Sequence, residues 1–142
     1  MKKIAFKISD DSFTLFEPNL HDGKLLSIAA PIDKRVEIKV EDVLEKQYSI
    51  ILDGVTRFCA SDFREGNIIL DVMIMRGRQV KQADLSQLLY AGQMGEEAKV
   101  YLEHLLEDIV HKSLLVLQIN PSYGCLLIGI ARNIDIMLYS QM

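Results

Sequence analysis

The hydrophobic period of this chain changes twice, and the two changes bound what it can fold into. Up to about residue 79 the apolar residues alternate with polar ones or run in short β-branched stretches. From Val80 they recur every three to four residues, and from Leu114 the extended pattern returns. Strands, then helices, then strands within 142 residues imply one α+β domain spanning 1–142. The expected fold is a mainly antiparallel sheet of about six to eight strands, with two helices (about 80–92 and 95–112) packed on one face.

Ile4, Phe6 and Ile8 alternate with lysines and an alanine before Asp10-Asp11-Ser12, and Phe13 to Phe16 follows, which predicts an N-terminal β-hairpin. A loop-rich passage from 18 to 34 leaves room for a short strand at Leu25–Ile28. Val36, Ile38 and Val40 then alternate with charged residues, as a strand with one wet face does. Tyr48 to Leu52, a turn at Asp53-Gly54, Val55 to Ala60 and Ile68 to Met75 predict a meander.

Ala83, Leu85, Leu88, Leu89 and Ala91 fit a short helix closed by Gly92, and Gly95 opens a long one. Leu114–Ile119 and Cys125–Ala131 read as strands apolar on both faces, hence central, joined by a loop at Asn120–Gly124. A last strand runs from Ile134 to Tyr139. The charge-free run from Ser113 to Ala131 is broken by Gln118 and Asn120-Pro121, so two buried strands fit it better than a membrane span.

A chain of 16.1 kDa buries about two-thirds of the surface its unfolded form exposes. Trp is absent, so the core is expected to consist of Ile, Leu, Val and Met. The start MKKIAFKISDD reaches a lysine and two aspartates before an apolar segment can form, so it is not a secretory signal, and a cytosolic location is expected.

The net charge of −4 arises within residues 96 to 111, where Glu96, Glu97, Glu103, Glu107 and Asp108 face one lysine. Outside that stretch acids and bases balance. On a helix the five carboxylates, with His104 and His111, fall in one arc about 140° wide, opposite the stripe of Ala98, Tyr101, Leu102, Leu105, Leu106, Ile109 and Val110. Such a ridge is either a solvated face or a docking face. Glu96 and Glu97 suit the N-terminal end of the helix dipole, whereas Glu103 and Glu107 repel at i, i+4 by about 0.2–0.5 kcal/mol.

His104, Glu107, Asp108 and His111 have spacings that also occur in helix-borne metal sites, but those sites look into a bundle core and this arc faces water. No metal is therefore assigned to it. Tyr90, Met94 and Tyr101, around Gly92 and Gly95, carry residue types enriched in interface cores. Arg76, Arg78 and Lys81 form the only basic cluster, too small for a nucleic-acid footprint on an acidic protein. Cys59 and Cys125 lack CxxC spacing, and no phosphate-binding or other cofactor motif is present.

Three functional readings follow. The first is a small inhibitor or immunity-type protein that covers a basic protein partner, such as a nuclease toxin, with Glu96, Glu97, Glu103, His104, Glu107, Asp108 and His111, aided by Tyr90, Met94 and Tyr101. This reading involves no catalytic residue, nucleic acid, membrane or cofactor. The second is a thiol-dependent enzyme built on Cys125 or Cys59 with His21. The third is a homo-oligomeric structural or adaptor subunit, such as a homodimer.

Overall fold

The computed structural model describes residues 1–90 and 92–140. Eleven strands are present among them: β1 Lys2–Ile4, β2 Lys7–Ile8, β3 Leu15–Glu17, β4 Lys24–Ala29, β5 Arg35–Glu41, β6 Gln47–Asp53, β7 Arg57–Ser61, β8 Ile68–Arg76, β9 Leu115–Tyr123, β10 Leu126–Ala131 and β11 Asn133–Leu138. Nine form one antiparallel sheet in the order β1-β11-β6-β5-β4-β8-β9-β10-β7, and β2 with β3 makes a separate ribbon.

The expected layout, about six to eight strands with helices 80–92 and 95–112 on one face, is therefore corrected. The antiparallel character holds, but the main cover of the sheet is the sheet itself. Val36, Ile38 and Val40 of β5, Ile50 and Leu52 of β6 and Ile136 of β11 share one apolar cluster with Val72 and Ile74 of β8, Leu117 and Ile119 of β9 and Leu127 of β10. The two halves of the sheet thus curl face to face around a common core. A second cluster lies on the outer side of β8, β9 and β10, where Met75, Val116, Ile128 and Ile130 meet Leu85, Leu88, Leu102, Leu105 and Ile109. The apolar character of β9 and β10 on both faces follows from this double cover.

The helical region is also revised. Gln82–Leu88 is a 3-10 segment, not a helix over 80–92. The Asp84 carboxylate accepts a hydrogen bond from the Lys81 amide at 2.9 Å and folds the segment's start. Leu85 and Leu88, three apart, are both fully buried, which suits three residues per turn. The Leu88 carbonyl is taken by the Arg57 guanidinium, and Leu89 is already extended. Ala91, assigned to this helix from its spacing, lies outside the described residues. The second helix, α1, runs Gly95–His111 and buries Ala98, Leu102, Leu105 and Ile109. It ends where Ser113 adopts φ +53 and the Leu114 amide reaches back to the Ile109 carbonyl, a left-handed C-terminal cap.

Three connections differ from the expected hairpins. The N-terminal hairpin forms between β2 and β3, but the first residues of the run split off as β1, which pairs with β11 instead. Asp53-Gly54 does not close a hairpin, because β6 pairs with β5 and β11, and β7 pairs with β10. The chain instead changes sheet half twice at one corner: Thr56 donates to the Ile130 carbonyl and Arg132 to that of Asp53, each at 2.9 Å. Finally, β9 continues through Asn120 and Pro121, where a loop was expected, and Pro121 sits at a register shift opposite Ile69.

Candidate functional site

The amphipathic spacing of α1 fixes which of its side chains reach water. Glu96, Glu97, His104, Glu107, Asp108 and His111 are exposed, and Glu103 is half-buried beside the sheet-facing stripe. Among the described residues, Asp108 pairs with Lys112 at 3.5 Å, one turn on, and the four glutamates have no ion-pair partner. No group of three metal-binding side chains occurs among the described residues. Arg78 borders the C-terminal end of the ridge, lining a shallow depression with Leu106, Glu107, Val110 and His111.

Two apolar residues break the acidic surface. Val100 projects from the centre of the carboxylate arc and is 41% exposed, and Met94, at the start of the helix, is 75% exposed. The spacing of Val110 assigns it to the buried stripe, yet it is partly exposed at the last turn, where the helix overhangs the sheet.

Tyr90 and Tyr101 come together around a residue that sequence reasoning did not single out. Arg57, on β7, lies with its guanidinium carbon 4.4 Å from the Tyr90 ring centre and 5.8 Å from that of Tyr101, and the two rings are 5.5 Å apart. Its Nη1 donates to the Tyr90 hydroxyl at 2.9 Å and its Nη2 to the Leu88 carbonyl. Cation–π attraction and these hydrogen bonds hold Tyr90 in one orientation while 56% of it stays exposed. Burial pushes the Tyr101 phenol above its ordinary range, with the Arg57 charge pulling against it. Arg57 begins a strand 33 residues before Tyr90, and no local pattern joins them.

The groups of the thiol reading are dispersed. Cys125 is buried, its thiol contacts the Leu126 carbonyl, and burial pushes its pKa up. Cys59 is half-buried against Ser61 and Gln87. His21 binds the Leu70 carbonyl and lies near Asp22, so neither thiol has it as a polar partner. Arg76, Arg78 and Lys81 are all exposed around the turn that leaves β8.

Comparison with known protein families, with curated proteins and with solved structures finds no significant match. No helix among the described residues is long and apolar enough to cross a membrane.

Proposed function

We propose that this protein is a small cytosolic binding protein of the inhibitor or immunity type, which covers a basic partner such as a nuclease toxin with the outer face of α1. The observation that carries this reading is the set of glutamates that have no ion-pair partner among the described residues, Glu96, Glu97, Glu103 and Glu107, surrounding exposed Val100. A ridge of one sign on an otherwise balanced surface steers a cationic partner, and the apolar residues within it supply contact once water is expelled. Tyr90 and Met94 extend that contact beyond the start of the helix, with Tyr90 already oriented and so losing little freedom on binding. Asp108, His104 and His111 form the rim, where charge acts mainly on the association rate.

Stopped-flow association with a panel of cationic nucleases at low salt tests the proposal. Replacing Glu103, Glu107 and Asp108 together by Gln, Gln and Asn should slow association by about tenfold or more and flatten its salt dependence. The fold should be unchanged, since the lost Asp108–Lys112 pair is exposed and the Glu103–Glu107 repulsion is relieved. An unchanged rate returns the ridge to a solvated face.

Self-association is a second reading, favoured by the two ends of the sheet: among the described residues β1 and β7 are each paired on one side only. Sedimentation equilibrium at several protein concentrations separates it from the first.

A further inference from the structure

The sheet ends on two strands of unequal chemistry. Among the described residues the backbone ladder of β1 runs only to β11 and that of β7 only to β10, so each strand turns every second N–H and C=O outward. β1 carries Lys2 and Lys3, both exposed, and lysines on an edge discourage an incoming strand. β7, Arg57–Ser61, has neither lysine nor proline and pairs with β10 without a register shift. Its one charged side chain is already engaged, since Arg57 lies against Tyr90 and Tyr101 and donates to the Tyr90 hydroxyl and the Leu88 carbonyl.

The two edges also differ in what they can pair with. Two copies of β7 laid antiparallel about Cys59 set Arg57 against Ser61, Phe58 against Ala60 and Cys59 against itself, so no like charges are opposed. The same operation on β1 sets Lys3 against Lys3. Pairing β1 with β7 is heterologous and builds an open chain of molecules, whereas β7 with β7 is isologous and closes at two. Exposed aromatics flank β7 at both ends. Phe63, two residues beyond its last residue, is 49% exposed, and Tyr90, held by Arg57 at its first, is 56% exposed. Reversing one copy brings its Phe63 to the end where Tyr90 of the other stands, once on each side of the two-fold axis. These rings supply apolar contact that five residue pairs alone lack.

We infer that the free edge of β7 binds the β7 edge of a second copy, joining two molecules in one continuous antiparallel sheet centred on Cys59. The inference rests on the self-association reading and involves none of the carboxylates of α1.

Sedimentation equilibrium of the full chain should show reversible dimers with a dissociation constant of about 100 μM, as a small interface gives. Ala60→Lys puts a charge at an exposed position of the edge and should weaken the dimer at least about tenfold, with the circular dichroism spectrum unchanged. Residues directly opposed in an antiparallel pair have Cα atoms about 4.5–5.5 Å apart, within disulfide range. Diamide, which takes up the two electrons and two protons, should therefore join Cys59 to Cys59 of the other copy, at least about tenfold more slowly in Ala60→Lys. Mass spectrometry of the linked peptides identifies the thiol, since Cys125 is buried. A protein that stays monomeric to about 1 mM overturns the inference together with the self-association reading. Dimers that Ala60→Lys leaves intact, dimers that diamide does not join through Cys59, or open-ended assemblies overturn the β7 pairing alone.

Discussion

Leu52 Cδ1 lies 2.8 Å from the point where a Cβ on Gly129 would sit. Leu52 belongs to β6 and Gly129 to β10, strands from opposite halves of the sheet, so this is where the sheet closes on itself. The Phe58 ring crowds the same point at 3.2 Å. A glycine is needed for space here, since neither neighbour is the free end of a surface side chain.

Gly129→Ala should therefore destabilise the protein by about 1–3 kcal/mol through overpacking. Urea denaturation measures it, and Gly129→Ala combined with Leu52→Val should recover part of the loss if the Leu52 methyl is the obstacle. An alanine variant as stable as the wild type would show that the two halves are less closely apposed.

Asn67 is the polar centre of the same core. It is 2% exposed, and its Oδ1 accepts from the Arg64 amide at 2.8 Å and the Cys125 amide at 3.1 Å, while Nδ2 donates to the Arg64 carbonyl at 2.6 Å. It thereby joins the turn before β8 to the turn between β9 and β10. Asn67→Ala leaves buried backbone groups unpaired and should cost about 2–4 kcal/mol. The carboxamide fills the space in front of Gly124, which also has φ +89. Gly124→Ala should accordingly cost less in the Asn67→Ala background than alone, though not nothing, because the backbone strain remains. Additive losses in a thermal-unfolding cycle would contradict this coupling.

Stability should fall on the alkaline side. Burial pushes up Cys125, Tyr48 and Tyr101, with Asp42 adding to the rise at Tyr48. Each group holds its proton more tightly when folded, so the unfolded chain releases protons first. That stabilisation is complete below the unfolded values and declines as pH rises past about 8.5 for the thiol and about 10 for the phenols. Urea midpoints between pH 7 and 11 should decline in two stages, with Cys125→Ala flattening the first and Tyr48→Phe the second. A midpoint constant to pH 11 would refute the assignment.

Some of this architecture is legible residue by residue. The alternation of Val36, Ile38 and Val40 makes β5 and points those side chains inward, and the spacing of Leu102, Leu105 and Ile109 makes α1 and its exposed acidic face. The 3-10 segment was not legible, because a run anchored at Leu85 and Leu88 matches both helical periods, and the Arg57–Leu88 contact that shortens it comes from 31 residues away. Arg57, Tyr90 and Tyr101 share no local pattern, and only the strand order shows that β7 is left at a free edge.

By itself the sequence determined the extended or helical type of most elements and the buried faces of β5 and α1, since those follow from backbone geometry repeated every two or 3.6 residues. It also determined where the excess negative charge lies. Tertiary structure alone decided that β6 pairs with β11 and not with β7, that the sheet covers its own inner face, and which side chains meet at Arg57. Any two strands with one apolar face can pair. The choice among them rests on the summed packing of residues distant in the chain, such as Leu52 against Gly129, and that sum leaves no periodic trace in the sequence.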